Sequence, residues 1–306
     1  MKRTGLGLVV VLAAAVAVPL AARPRGLQAA PQSRTIYVSI VDKASGKPIP
    51  GLTAADFKVR DGKDREITSV SVPTTRAKLT ILVEETLAPD TTTRQAILDF
   101  SKRMIKGADI SIVSAGNRNT AVVPFTDDLQ KILAGLNSIT MVQMRQTTQM
   151  ADGIYEAAKV FQELKPERPI IVAIAIEVSI QSGESADNVL NTLRLSRAVL
   201  EVVAVESPRA MTQGPPQGAP SGGLDSVETS KVIGEGPKQS GGRRIGVPAL
   251  TSRAIPLALM EVANDIEAQY AITYAIPAGE KPQDRISVST TKKNVTLLAP
   301  TRVNQN

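Results

Sequence analysis

The most informative segment of the chain reads Leu79-Thr80-Ile81-Leu82-Val83-Glu84-Glu85-Thr86-Leu87-Ala88. A mostly apolar run ends in two acidic residues and a hydroxyl, and helix-type spacing begins near Thr91. Strands of parallel sheets are buried on both faces and read as continuous apolar runs. Open α/β sheets place their ligand sites at the carboxyl ends of such strands. The segment therefore predicts a central parallel strand followed by a loop in the position of a binding site.

The residues after this segment alternate between amphipathic helices and apolar strands. The predicted helices cover residues 91–106, 148–164, 185–197 and 252–268, and the predicted strands cover residues 110–115, 121–124, 170–176 and 199–205. Such alternation indicates a mostly parallel sheet between two helix layers. The predicted fold class is therefore α/β, a doubly wound and mostly parallel sheet with a small N-terminal β module and C-terminal β strands.

The chain divides into four predicted segments. These are a signal peptide (1–30), the N-terminal β module (31–76), the main α/β domain (77–276) and a C-terminal β extension (277–306). Within the main domain, residues 207–247 are rich in Gly, Pro, Ser and Gln, which predicts a flexible insertion with at most a short helix near residues 225–233. Residues 234–242 are glycine-rich but lack the Gly-Lys-Ser/Thr of a phosphate loop, so we interpret them as a flexible loop.

The N-terminus has the pattern of a secretory signal. Two basic residues at positions 2 and 3 precede an apolar stretch, residues 5–18, and small residues further on suit a cleavage site. We expect a secreted or periplasmic protein whose mature chain begins between Ala22 and Gln32, with no membrane span after cleavage. The alternative is an uncleaved anchor, because residues 5–22 are uncharged over about the minimum spanning length.

The composition excludes several kinds of site. The 306 residues include no His and no Cys, which rules out disulfides, Ser-His-Asp and Cys-His nucleophiles, and zinc sites built on imidazole or thiolate. The net charge is +7, and loss of residues 1–30 would remove four basic and no acidic residues, leaving +3. So small an excess does not indicate a nucleic-acid partner. A hydrolase based on carboxylates or a Ser/Lys pair is the remaining catalytic alternative, and no local group of residues supports it.

Three further motifs stand around the alternating core. They read Lys47-Pro48-Ile49-Pro50-Gly51-Leu52-Thr53-Ala54-Ala55-Asp56-Phe57, Ser240-Gly241-Gly242-Arg243-Arg244 and Ile266-Glu267-Ala268-Gln269-Tyr270-Ala271-Ile272-Thr273-Tyr274. With the strand at Leu79, this order of motifs resembles secreted bacterial proteins related to the von Willebrand factor A (vWA) domain. The resemblance implies a vWA-like domain over residues 77–276 with β segments at its edge. It also implies a protein-binding, adhesion-type module rather than an enzyme.

The same resemblance implies a metal-ion-dependent adhesion site built from three loops. In the first loop Glu84, Thr86 and Ala88 stand where the family has Asp, Ser and Ser. In the second loop Thr148 matches the threonine ligand, and in the third Glu177 follows a strand that the family ends with Asp-Gly. Mg²⁺ requires near-ideal octahedral oxygen geometry at short distances. The missing hydroxyl at Ala88 and the altered carboxylates therefore predict a degenerate site.

We accordingly expect no metal and no cofactor. The alternative is an adhesion module that keeps weak Mg²⁺ binding through Glu84, Thr148 and Glu177. The candidate binding residues are Glu84, Glu85, Thr86, Thr148 and Glu177, and the expected partner is another envelope or extracellular protein. Without a cation, an acidic rim that also includes Glu184 would attract a Lys or Arg of that partner. Glu84 and Glu85 should point to opposite sides of the strand end, so they do not form a catalytic carboxylate pair.

Overall fold

A computed structural model of the protein describes residues 32–139, 149–176, 183–206, 223–248 and 254–304. The expectations for the signal peptide, for Thr148 and for Glu177 lie outside these residues. None of the helices in these ranges combines the length and apolar character needed to cross a membrane.

The described residues form thirteen strands, six α-helices and one short 3-10 helix at Ala54–Asp56. The strands are β1 (Gln32–Asp42), β2 (Phe57–Asp61), β3 (Lys63–Arg65), β4 (Ile67–Ser71), β5 (Ala77–Glu84), β6 (Ala108–Ala115), β7 (Thr120–Thr126), β8 (Pro169–Ile176), β9 (Val199–Glu206), β10 (Arg244–Pro248), β11 (Gln269–Ile276), β12 (Ile286–Thr290) and β13 (Val295–Leu298). The helices are α1 (Thr91–Met104), α2 (Leu129–Ser138), α3 (Met150–Leu164), α4 (Ala186–Ser196), α5 (Gly223–Ser240) and α6 (Ala254–Glu267).

Six strands form the central sheet, in the order β10-β9-β8-β5-β6-β7. All neighbouring pairs are parallel except β6 and β7. Helices α1, α2 and α6 share one apolar core with the sheet, and α3, α4 and α5 share the other. The mostly parallel α/β fold predicted from the sequence is therefore confirmed, and β5 lies at its centre.

The apolar run of β5 explains its central position. Leu79, Ile81 and Val83 are fully buried on the side of α1, α2 and α6, and Leu82 is fully buried on the side of α3 and α4. Burying one such side chain contributes about 1.5–3 kcal/mol. A strand buried on both faces is therefore most stable between other strands and between two helix layers, which is the place that β5 occupies.

The remaining strands form two smaller sheets, β13-β1-β11-β4 and β12-β2-β3. The N-terminal strand β1 lies between two C-terminal strands, with Ile36 opposite Ile272 in β11 and Ile40 opposite Leu297 in β13. Likewise β2 pairs with β12, with Val59 opposite Val288. Segments from the two ends of the chain thus build one common β layer with its own apolar core.

The interpretation of residues 207–247 as a flexible insertion is wrong for the part that the structure describes. Helix α5 and strand β10 occupy most of residues 223–248, and only residues 207–222 lie outside the described ranges. The flexible-loop interpretation of residues 234–242 is also wrong, because the helix continues to Ser240. Tertiary packing accounts for this order, since Val232 and Ile233 of α5 are buried against the sheet.

Candidate functional site

The carboxyl group of Glu84, the last residue of β5 before the loop that follows, is fully buried. Its Oε1 atom accepts a hydrogen bond of 2.8 Å from the hydroxyl of Thr86, and its Oε2 atom accepts one of 2.6 Å from the backbone N–H of Ile176. The backbone N–H groups of Leu87 and Ala88 both donate to the carbonyl of Glu84, at 2.9 and 3.1 Å. The side chain of Glu84 therefore closes the turn and ties it to the end of β8.

The described residues do not fit the Mg²⁺ ion that the family resemblance implies. Both carboxylate oxygens of Glu84 accept hydrogen bonds from the protein itself. Ala88 is fully buried, and its methyl group belongs to the apolar core beside α1. No group of three or more acidic side chains among the described residues is arranged to hold a metal. The two further candidate ligands, Thr148 and Glu177, lie outside the described ranges.

Glu85 turns toward the neighbouring strand β6. Its backbone N–H donates to the carbonyl of Ala115 at 2.9 Å, and its carboxylate accepts a hydrogen bond of 3.2 Å from the Ser114 hydroxyl. The carboxylate also covers Gly116, where an added Cβ would lie 2.1 Å from the Glu85 Cδ atom. Glu84 is thus hydrogen-bonded to β8 and Glu85 to β6. The two adjacent acids therefore do not face a common substrate position.

The first turn of α3 brings a further acid to this end of the sheet. Asp152 accepts hydrogen bonds from the backbone N–H groups of Gly183 (2.9 Å) and Glu184 (3.0 Å), so it fixes the segment that leads into α4. The start of α3 is itself held to the residue that follows β6, because the Gln149 N–H donates to the Gly116 carbonyl at 3.1 Å. Sequence reasoning missed Asp152, although an acidic residue in the first turn of a helix is a recognisable signal.

Glu156 follows Asp152 by one helical turn, and its pKa is raised above the ordinary value. Partial burial is the largest cause and the charge of Asp152 adds to it, while the nearby Asn119 side chain and the charge of Lys159 act in the opposite direction. Acidic groups are therefore gathered around the end of β5. They are Glu84 at the end of β5, Glu85 in the loop that follows, Asp152 and Glu156 from α3, and Glu184 just before α4.

A second group of charged residues lies inside the fold, and the sequence analysis did not anticipate it. Glu201 in the middle of β9 accepts a hydrogen bond of 2.9 Å from the Arg243 N–H, and the Arg243 guanidinium binds both carboxylate oxygens of Asp265 in α6. Both acids are fully buried. Burial, reinforced by the charge of Asp265, holds the pKa of Glu201 well above its usual range. Burial also raises the pKa of Asp265, against the opposing effect of Arg243.

This cluster gives the Ser240–Arg244 motif a structural role. Gly242 lies so close to β9 that an added Cβ would be 2.1 Å from the Leu200 carbonyl oxygen and 3.0 Å from the Glu201 Cδ atom. Gly241 has a φ of 93°, in the region that favours glycine. The two glycines therefore allow the chain to pass close to β9, which places Arg243 in contact with the buried acids Glu201 and Asp265.

Solved structures with a similar fold include a VWA domain. The chain is similar to the conserved hypothetical protein BatB from Bacteroides thetaiotaomicron at a TM-score of 0.43 and 14% identity, covering 61% of this chain and 97% of that one. The corresponding values for the SpRpn10 VWA domain are 0.40, 14%, 60% and 94%. For an aerotolerance-related membrane protein from Bacteroides fragilis they are 0.41, 17%, 61% and 98%. No protein-family model and no curated protein matches the chain. The likeness concerns the fold alone.

Proposed function

We propose that the protein is a non-catalytic, extracytoplasmic protein-binding module of the vWA type whose metal site is degenerate. The observation that carries the proposal is the position of Glu84. Its carboxylate stands where the family has a metal-ligating Asp, yet it is buried and hydrogen-bonded to Thr86 and Ile176. Burial of Ala88 in the core supports the same conclusion, because no hydroxyl is offered at the third position of the motif.

The non-catalytic part of the proposal is supported by the chemistry of the residues present. The chain has no His and no Cys, so a catalytic centre would have to use carboxylates or a Ser/Lys pair. Glu84 and Glu85 are hydrogen-bonded to strands on opposite sides of β5, and Glu84 is inaccessible to solvent. The extracytoplasmic part is supported by the signal-like N-terminal sequence.

The proposed contact surface is the acidic rim at the carboxyl end of β5. Thr86 and Glu156 are exposed there, and Glu85 and Glu184 are partly exposed. Acidic groups around one edge give a partner that carries Lys or Arg a complementary surface, which increases the association rate and the specificity more than the affinity itself. The same rim would hold Mg²⁺ in the alternative function, so the experiment must separate the two.

Thermal melting with and without metal tests the degenerate site. A ligand at a hundred times its dissociation constant stabilises a protein by about 2.7 kcal/mol, which raises Tm by several degrees in a domain of this size. We expect no shift with millimolar Mg²⁺ or Mn²⁺. A shift of several degrees that Thr148→Ala abolishes would establish the metal-dependent alternative instead.

Photo-crosslinking in intact cells tests the binding surface. A photoreactive residue replaces the exposed Thr86 at the rim, and a matched control replaces the exposed Ser289 in β12. We expect one discrete crosslinked protein from position 86 and none of it from position 289. Glu85→Lys should then weaken binding of that protein at least tenfold at low ionic strength. Equal crosslinking from both positions, or a fully active Glu85→Lys variant, would place the interface elsewhere.

A further inference from the structure

A cavity of about 300 Å³ lies between the α/β layer and the β layer. Its walls come from β1, the last turns of α4, the beginning of β9, the end of α5 and residues 300–304. It therefore lies toward the amino end of β9, whereas the acidic rim lies at the carboxyl ends of the parallel strands. Its volume is at the lower end of the range for small-molecule sites.

The lining of the cavity combines apolar side chains with arginines. The apolar part consists of the buried side chains Ile36, Leu190, Leu193, Ala198 and Val199. The arginines are Arg34, Arg194, Arg197 and Arg302, and the acidic side chain in the lining is Glu167. This combination fits a ligand that has an apolar part and a negatively charged part.

Three of the four arginines are already paired with acids that are not part of the lining. Arg34 binds Asp61 at 3.2 Å, Arg302 binds Asp284, and Arg194 lies 3.7 Å from Asp284.

The fourth arginine, Arg197, is exposed and has no such acidic partner within the described ranges. Its guanidinium has no ion pair and no hydrogen bond with any residue that the structure describes. Arg197 caps the carboxyl end of α4, where cations offset the partial negative charge of the helix end. A guanidinium in such a position can still offer its outer N–H groups to a carboxylate.

Tyr37 adds a neutral hydrogen-bond donor beside Arg197. Burial and the charge of Glu167 raise the pKa of Tyr37, while Arg168 and Arg197 act in the opposite direction. The phenol therefore stays protonated at neutral pH. Glu167 already accepts a hydrogen bond of 2.6 Å from the Thr75 hydroxyl, and the Tyr37 hydroxyl forms no hydrogen bond within the described ranges.

We propose that this cavity binds a small organic carboxylate that carries an apolar group. The carboxylate accepts hydrogen bonds from Arg197 and Tyr37, and the apolar group packs against Leu190, Leu193 and Val199. Charge-assisted hydrogen bonds of this kind are about twice as strong as neutral ones. The carboxylate can belong to a free acid or to the carboxyl terminus of a peptide, since both present the same chemistry.

NMR titration of the ¹⁵N-labelled protein with N-acetyl-L-leucine tests the proposal. We expect saturable shifts at the amides of Tyr37, Leu193 and Val199, and at least tenfold weaker binding of N-acetyl-L-leucinamide, which lacks the charge. Acetyl-Gly-Gly-Leu, with and without an amidated end, distinguishes the two sources. Tighter binding of the free tripeptide than of N-acetyl-L-leucine indicates a peptide terminus, and weaker binding indicates a free acid.

The variants isolate the two proposed donors. Arg197 has a φ of 59°, so Arg197→Gln is chosen because it removes the charge without a β-branched side chain in that strained conformation. It should weaken binding about tenfold. Tyr37→Phe should weaken binding several-fold, and this second variant still tests the proposal if the Arg197 variant fails to fold. Arg118→Gln, in the exposed β6–β7 turn, serves as the control. Equal binding of acid and amide, absence of saturable shifts, or equal weakening by Arg118→Gln would overturn the proposal.

Discussion

Glu84 and Ile176 are joined by a hydrogen bond of 2.6 Å from the backbone N–H of Ile176 to the Glu84 carboxylate. The two residues end the neighbouring parallel strands β5 and β8, whose paired register extends only to Val83 and Ile174. The Glu84 side chain therefore connects the strand ends beyond the last backbone pairing. An Asp, one methylene shorter, would be less able to make this connection, which gives Glu at this position a structural reason.

The first prediction concerns the stability that Glu84 provides. Glu84→Ala leaves the Ile176 N–H and the Thr86 hydroxyl without their acceptor and leaves a small void. We expect the free energy of unfolding to fall by about 3 kcal/mol. Urea denaturation measures this loss, and the matched control Glu85→Ala, at a partly exposed position, should cost well under half as much. A loss that occurs only when Mg²⁺ is present would contradict the structural role and indicate a metal ligand.

The central sheet could be predicted because its signal is local. The apolar runs of β5, β8 and β9 and the spacing of α1, α3, α4 and α6 follow from a few consecutive residues each. The ends of the chain carry no such signal for their pairing. Ile36 and Ile272 are opposite one another in β1 and β11, but nothing near either residue identifies its distant partner.

Helix α5 shows where local composition misleads. Its sequence includes Gly234, Gly236 and Pro237, residues that are unfavourable inside helices. Tertiary contacts outweigh this preference, because Gly236 lets the helix approach Leu200 so closely that a Cβ would lie 2.9 Å from its Cδ2 atom. No prediction covered α2, a helix of only ten residues.

At the candidate site, Glu84, Glu85 and Glu184 could be named in advance, but Asp152 and Glu156 were missed. The burial of Glu84 depends on the distant end of β8, which no local pattern reveals.

The second prediction concerns Asp61, which is fully buried in the β layer. Its carboxylate accepts hydrogen bonds from the Tyr274 hydroxyl (3.1 Å), the Gln283 N–H (2.7 Å) and the Arg34 guanidinium (3.2 Å). Removing one partner of a buried ion pair costs about 3–5 kcal/mol. We expect Asp61→Ala to destabilise the protein by that amount in chemical denaturation. Asp64→Ala, on an exposed neighbour in β3, is the control, and equal effects would show that Asp61 has no special role.

The third prediction concerns Tyr274, whose hydroxyl donates to Asp61 in the same hydrogen-bond network. Burial raises the pKa of Tyr274 to about 12, so its hydroxyl remains a donor at all pH values at which the protein is handled. Tyr274→Phe removes one neutral donor to a charged acceptor and should cost about 1.5–3 kcal/mol. The difference in tyrosinate absorbance between the natural protein and Tyr274→Phe on alkaline titration isolates Tyr274 from the other three tyrosines. A difference that appears near pH 10 in the folded protein would contradict the raised pKa.

The fourth prediction compares two glycines that are eight positions apart. Gly242→Ala places a methyl group against the Leu200 carbonyl oxygen, which neither backbone can accommodate without moving. We expect this variant to lose several kcal/mol or to fail to fold. Gly234 lies inside α5 with nothing within 4 Å of an added Cβ, so Gly234→Ala should stabilise the protein by about 0.4–1 kcal/mol. The melting temperatures of the two variants test this difference. Similar melting temperatures would contradict the close approach at Gly242.

The last prediction concerns the pH dependence of stability that arises from Glu201. Burial and the neighbouring Asp265 raise the pKa of Glu201 in the folded protein well above its ordinary value of 4.5. One of its oxygens, Oε1, is buried without a hydrogen-bond partner among the described residues. The protonated form is therefore favoured in the folded state, whereas the unfolded chain releases this proton above about pH 4.5.

The sign of the effect follows from proton binding. Between pH 4.5 and the folded-state pKa, the folded protein holds one more proton at Glu201 than the unfolded chain does, so this group makes the free energy of unfolding fall as pH rises. Glu201→Gln keeps an acceptor for the Arg243 N–H and removes the titration. We therefore expect the variant to gain stability relative to the natural protein as pH is raised from 5 to 8. Urea denaturation at several pH values measures the difference. The control Glu261→Gln changes the exposed partner of Arg243 and should leave the slope of the free energy of unfolding against pH unaltered. If the stability difference for Glu201→Gln is constant with pH, Glu201 is ionised in the folded protein and the prediction is wrong.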